Sequence, residues 1–300
     1  MGKAVPNQLG DYLDSLKACL KMDSAVKVSV THELRTHLED RSQELEKNGL
    51  SEEEASSAAV ESFGSPQLVA QQIYEVHSRG TWQEAFLAAS PHLLVALLFA
   101  TYYWQNIFWT SITVIVIACT VIYGWCHNQP VWFFPWLGYY LLPVIVTGAL
   151  LIYLPQGWTW LVALAYLPLA LFTVAYIVKQ TASRDWLYVS LMLAPLPVAC
   201  AWLLDLGTGD EFLKANMHLT RLQPNVPWIV TSLLVLAVAA FTFTRVRQRW
   251  CKIAALLIPV SVVFVSVALA GSRAIGFWGW LVLVISLLVV ASPAWLQSRA

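Results

Sequence analysis

The sequence predicts an all-α chain in two parts: a small soluble four-helix domain over residues 1–84 and a polytopic membrane domain over residues 85–300. Three observations carry this reading. First, the formal net charge of zero is a sum of unlike parts. Residues 1–84 hold 14 acidic and 8 basic residues, a balance of −6, whereas residues 85–300 hold 4 acidic and 10 basic residues, a balance of +6. Second, the chain is 58% hydrophobic and only 12% charged, about half the charge of an ordinary soluble domain. Third, apolar residues recur at helical spacing in the first quarter and as long unbroken runs thereafter. This composition excludes disordered, collagen-like and disulfide-scaffold classes. It also leaves no cationic excess to neutralise phosphates, so direct nucleic-acid binding is excluded.

Four short helices account for the first 84 residues. Leu9, Tyr12, Leu13, Leu16 and Leu20 form one apolar stripe, as the 3.6-residue period requires. Val30, Leu34, Leu38 and Leu45 form a second stripe on a longer helix that stops at Asn48-Gly49. Ser51-Glu52-Glu53-Glu54 reads as a capping box, opening a helix that carries Ala55, Ala58, Ala59 and Phe63 and ends at Gly64. Ser65-Pro66 then places an N-cap before a proline at the first helical position, and Leu68, Val69, Ile73 and Val76 line the fourth helix. A second capping box, Thr81 to Glu84, leads into the apolar part. The N-terminus has no apolar stretch of the signal-peptide kind, and Pro6 stands where myristoylation wants Ser or Thr, so neither processing nor lipidation is expected.

The ordered series His37-Leu38-Glu39-Asp40-Arg41, Glu44-Leu45, Gly49-Leu50-Ser51-Glu52-Glu53-Glu54-Ala55, Ala59-Val60 and Phe63-Gly64-Ser65-Pro66 resembles the HAAS signalling domain, also described as the permease prefix domain. The resemblance covers about residues 8–80. It implies a cytoplasmic all-helical module ahead of a multi-spanning membrane segment. It also implies a PadR-like winged-helix transcription regulator, encoded as a bacterial neighbour, as the partner. Where such a module precedes a true transport permease, a large extracytoplasmic domain usually follows between spans, and no stretch of this sequence supplies one.

From Ala85 onward, apolar runs of about 18–21 residues repeat, each long enough to cross a hydrocarbon core of about 30 Å. Eight spans are expected, at 85–104, 107–126, 132–154, 158–178, 186–206, 227–244, 252–270 and 276–296. An even number places both termini on one side. With the termini cytoplasmic, inside loops carry Lys179, Arg184, Arg245, Arg247, Arg249, Lys252 and Arg299, and outside loops carry Lys214, Arg221 and Arg273. Seven against three satisfies the positive-inside rule, which the opposite orientation violates. Trp104, Trp125, Trp158, Trp186, Trp228, Trp250 and Trp295 sit at span ends as an aromatic belt.

Little in this sequence points to catalysis. No span carries an acidic or basic residue near its centre, where each would cost about 2.5–3.5 kcal/mol to insert and is kept chiefly for function. There is no Walker A motif, zincin motif or nucleophile elbow, and Gly207-Thr208-Gly209 reads as a loop. The cysteines Cys19, Cys119, Cys126, Cys200 and Cys251 lack metal or redox spacing and are expected to pack as small hydrophobes. No catalytic residue, cofactor or metal ligand is expected. His92 is expected to hydrogen-bond a neighbouring helix. Pro143, Pro168, Pro195, Pro197 and Pro259 are expected to kink or break helices, mainly for packing. Residues 207–226 form the one sizeable outside segment, with Phe212, Leu213, Met217 and Leu222 spaced as on an amphipathic interfacial helix.

The candidate site is acidic and lies in the first quarter: Glu33, His37, Glu39, Asp40, Arg41 and Glu44, with Glu33, His37 and Arg41 one turn apart on a polar ridge. Read as a solvated face it needs no partner; read as a docking surface it complements a basic winged-helix protein. The expectation is a non-enzymatic signalling protein of the bacterial inner membrane that contacts lipid bilayer and regulator and does not itself bind nucleic acid, with homo-oligomerisation left open. The alternative is a permease or the membrane subunit of a transport complex.

Overall fold

The structure, a computed structural model, describes residues 8–20, 22, 24–77, 79–153, 159–199 and 223–270, and single positions between 281 and 292. Its described elements are helical, without strands among the described residues. The chain divides into two compact units, one comprising Met1–Arg79 with Ser183–Asp185, the other Gly80–Ala182 with Trp186–Ala300.

The first unit is built from α1 (Gln8–Cys19), α2 (Ser24–Lys47), α3 (Glu52–Phe63) and α4 (Pro66–His77). Its core joins Tyr12, Leu13, Leu16 and Leu20 of the first stripe to Leu38, Ala59, Val69 and Ala70. The helix ends lie where local chemistry sets them. The Ser51 hydroxyl accepts from the Glu54 amide while the Glu54 carboxylate accepts from the Ser51 amide, satisfying two amides that a bare helix start leaves open. The Ser65 hydroxyl accepts from the Leu68 amide, and Gly49 and Gly64 take the positive φ values of +99° and +86° that end α2 and α3. The fourth stripe is narrower than expected. Leu68 and Val76 are exposed, the one lying off the Val69–Ile73 stripe and the other on the last turn. In the 183–185 segment, Asp185 is buried, and its carboxylate accepts from the Tyr74 hydroxyl at 3.1 Å.

The second unit contains α5 (Trp82–Ala100), α6 (Ile107–Cys126), α7 (Phe133–Tyr153), α8 (Thr159–Arg184), α9 (Trp186–Leu193), α10 (Val226–Arg245) and α11 (Arg249–Ala270). Among the described residues, four helical segments are long and apolar enough to cross a membrane: Trp82–Ala100, Ile107–Cys126, Leu164–Thr181 and Gln223–Arg245. Helices α7 and α11 lie at the expected spans 132–154 and 252–270 but are not among these four. Most of the span at 276–296, the end of the one at 186–206, and residues 207–222 with their amphipathic pattern lie outside the described residues, as do Trp158 and Trp295.

The α5–α10 pair shows why these helices pack closely. The buried face of α5 consists of Ala85, Ala88, Ala89, Pro91, His92 and Ala96, and α10 presents Ala237, Ala239 and Ala240 among its buried residues. Small side chains let two backbones approach, which gains dispersion contact where lipid supplies no hydrophobic drive between helices. Around the pair, an aromatic layer of Phe133, Phe134, Tyr188 and Phe243 fills the centre: Phe134 stacks on Tyr188 at 4.7 Å, and Tyr188 meets Phe243 edge-on at 5.8 Å. A Cβ at Gly138 would clash with the Met192 carbonyl oxygen and stand 3.3 Å from the Pro195 ring, so α7 meets the α9 region backbone to backbone. Pro91, Pro168 and Pro259 lie inside helices. Ahead of Pro195 the helix is interrupted by a turn at Ala194, because proline cannot donate the next bond.

Several expectations change at this point. Lys252, expected in an inside loop, is fully buried in the first turn of α11, its Nζ 5.0 Å from the Phe243 ring centroid. Asp185, which falls between the expected spans at 158–178 and 186–206, is buried as described. Cys119, Cys126 and Cys251 are exposed rather than packed inside, an arrangement that a small, weakly polar thiol tolerates. The first span ends earlier than expected, because α5 stops at Ala100 and Tyr102 enters the left-handed region at φ 58° ahead of a short 3-10 turn.

Candidate functional site

The acidic ridge of α2 becomes part of a groove. Helix periodicity sets His37, Asp40, Arg41 and Glu44 on one face of α2. The C-terminal end of α3 brings Ser62 and Phe63 against them, and together these residues line an open concavity of about 500 Å³. Within it, Arg41 Nη1 and Glu44 Oε2 form an ion pair at 2.6 Å, with side chains 45% and 61% exposed. A pair this exposed contributes about 0–1 kcal/mol. The Ser62 hydroxyl donates to the Ala59 carbonyl at 2.6 Å, so its oxygen keeps its capacity to accept. Behind this face, the buried Ser42 and the partly buried Ser56 hydroxyls meet at 3.4 Å and tie α2 to α3.

Of the six residues singled out in the sequence, His37, Asp40, Arg41 and Glu44 therefore share one groove. Glu33 and Glu39 are exposed on α2 outside it. Ser62 and Phe63 were missed as site residues. Phe63 reads locally as a core position and Ser62 as ordinary helix, and only the antiparallel return of α3 places them opposite the ridge. The groove is hydrophilic and open, with no buried nucleophile or acid–base pair. Among the described residues no group of three or more His, Cys, Asp and Glu could hold a metal ion.

A second constellation sits at the entry to the second unit. The Gly80 amide donates to the Thr244 carbonyl at 2.9 Å, and Arg245 Nη1 donates to the Gly80 carbonyl at 3.0 Å. The Arg245 guanidinium lies 3.9 Å from the Trp82 ring centroid, and Phe241 packs on Trp82 and Phe86 at 5.9 and 5.3 Å. One turn of α10 thus clasps the segment that begins α5, and the Thr81–Glu84 capping box fixes that beginning. A Cβ at Gly80 would stand 2.5 Å from Thr244 Cγ2, so the clasp requires glycine.

The third polar feature is internal. His92 Nδ1 and the Tyr139 hydroxyl lie 3.0 Å apart, joining α5 to α7, and the rings meet edge-on at 5.2 Å. Nearby, Trp136 Nε1 donates to the Leu87 carbonyl at 2.9 Å, a bond that uses a carbonyl ahead of the Pro91 break in the ladder. His92 therefore bonds a neighbouring helix, as its position suggested.

No family model matches the sequence, and no curated protein and no solved structure matches it either.

Proposed function

We propose that this chain is a non-enzymatic signalling protein of the bacterial inner membrane, with eight spans and cytoplasmic termini. In this reading residues 1–84 form a HAAS or permease-prefix domain that binds a cytoplasmic PadR-like winged-helix regulator. The observation that carries the reading is the groove, which gathers four of the six ridge residues with Ser62 and Phe63 on an acidic unit. A surface of this kind steers and orients a basic partner. The Gly80–Thr244–Arg245 clasp supplies the route for a signal. A ligand, lipid or membrane stimulus that shifts α10 pulls on Gly80, the residue that follows the first unit in the chain, and so alters how that unit is offered to its partner. Any such switch works only through different partner affinities in its two states.

The alternative, a permease or the membrane subunit of a transport complex, asks for a continuous polar path through the spans. Against it, the described centre of the second unit is built from Phe133, Phe134, Leu137, Leu191 and Phe243, and His92 is engaged with Tyr139.

The test is co-purification of the full-length protein, in neutral-lipid nanodiscs, with a PadR-like winged-helix regulator from the same genome, at low and at moderate salt. Binding that weakens as salt rises supports the proposal. No binding at either salt concentration overturns it.

A further inference from the structure

We propose that the groove accepts a cationic side chain from its partner, an arginine or a lysine, and that Arg41 is a resident competitor which that side chain displaces from Glu44. This deepens the partner-binding reading and rests on it.

The acceptors point to a cation. Asp40 and Glu44 bring carboxylates, and the Ser62 oxygen, whose proton is given to Ala59, is left as an acceptor. An anionic ligand would face both carboxylates and find Arg41 already held by Glu44 at 2.6 Å, which leaves His37 as the remaining nitrogen donor of the lining. An incoming cation meets the opposite situation. Asp40 is exposed and has no partner among the described residues, and half-buried Phe63 offers a face for the methylene stem and the charge. The charge of the unit favours approach of a cation from a distance.

Arg41 then has a role opposite to that of a ligand-binding arginine. Its exposed pairing with Glu44 is weak, so a partner cation that also reaches Asp40 can take Glu44 over, and Arg41 swings into solvent. In the empty groove the pair keeps Glu44 neutralised and lowers its attraction for stray cations. Removing Arg41 should therefore tighten binding, whereas any reading in which Arg41 grips an anionic partner requires the reverse.

The experiment uses the full-length protein in zwitterionic-lipid nanodiscs. Two probes are measured by fluorescence anisotropy: a fluorescein-labelled helical peptide with arginines one turn apart, and its counterpart with glutamates in their place. Winged-helix binding is measured in parallel. The arginine peptide should bind, weakening as salt is raised, and the glutamate peptide should not. Asp40→Asn should weaken the arginine peptide about three- to tenfold and Arg41→Gln should tighten it about two- to fivefold, as befits exposed charges. Asp14→Asn, an exposed acid on α1 outside the groove, should leave it within about twofold. These variants are exposed conservative changes, and unchanged melting temperatures verify their folding.

Weaker binding by Arg41→Gln, equal binding of the two peptides, or an Asp40→Asn variant like wild type each overturns the inference. If the winged-helix protein binds but ignores Asp40→Asn and Arg41→Gln, the groove chemistry fails and the signalling reading stands. If the peptides behave as stated and the winged-helix protein does not bind, the groove chemistry stands and the signalling reading fails.

Discussion

The Arg245 guanidinium lies over the Trp82 ring at 3.9 Å while its Nη1 donates to the carbonyl of Gly80 at 3.0 Å. The planar fork of arginine makes both contacts at once, stacking with one face and donating along its edge. Lysine cannot do this, because a compact ammonium has neither a face to stack nor a fixed fork. Arg245→Lys is therefore expected to behave nearly as Arg245→Gln. Each should destabilise the second unit by about 1–2 kcal/mol, the sum of a modest cation–π contact and one hydrogen bond. Equilibrium unfolding by SDS titration in mixed micelles measures this. A wild-type-like lysine variant would show that only the charge matters.

Gly80→Ala tests the same clasp from its other side. The new methyl group would meet Thr244 Cγ2 at 2.5 Å, and overpacking of this kind costs about 1–3 kcal/mol. Thr244→Ser deletes that methyl and keeps the hydroxyl that donates to the Ala240 carbonyl. Adding Thr244→Ser to Gly80→Ala should recover most of the lost stability in the same titration. Two independent, additive losses would place the cost elsewhere.

His92 and Tyr139 should couple. Interhelical hydrogen bonds inside membrane proteins contribute about 0.6–2 kcal/mol, so Tyr139→Phe is expected to cost that much and His92→Phe a similar amount. The double variant should cost clearly less than the two together, because each single change orphans the other group in a buried site. A double-mutant cycle on unfolding free energy reads the coupling, and a coupling of zero would mean that the 3.0 Å contact is incidental.

The first capping box predicts a pH dependence with a defined sign. Hydrogen bonds from the Ser51 side chain and backbone hold the Glu54 carboxyl below its ordinary value of 4.5. A carboxyl depressed in the folded state contributes stability above its unfolded pKa and loses it as the pH falls through the folded value. The stability difference between wild type and Glu54→Gln should therefore be constant near neutrality and shrink below about pH 4.5. Ser51→Ala should cost about 1 kcal/mol at neutral pH, the usual worth of an N-cap. A difference that grows on acidification would refute the assignment. Thermal unfolding across pH 3–7, at about half-unit steps, resolves the two cases.

The sequence alone determined what is local. The ends of α3 and the start of α5 follow from Ser51–Glu54, Gly64 and Thr81–Glu84, because a cap is made by residues three positions apart and needs no other part of the chain. Stripes such as Tyr12, Leu13 and Leu16 were legible for the same reason, as was the helical, apolar character of Ile107–Cys126, twenty residues without a charge and long enough to cross a membrane. The ridge from His37 to Glu44 was visible as a charge pattern, but its opposite wall, Ser62 and Phe63, was not.

The tertiary structure decided the rest, and the separations explain why. Arg245 reaches Gly80 across 165 residues, Tyr74 reaches Asp185 across 111, and His92 reaches Tyr139 across 47. A positive-inside count reads Lys252 as a loop charge because it sees only its distance from apolar runs, and Asp185 falls between two such runs. Their burial follows from which helices lie beside them. Period and capping are encoded in a few consecutive side chains, whereas a buried charge, a clasp or a groove is a property of which distant surfaces meet, set by packing that no short stretch of sequence contains.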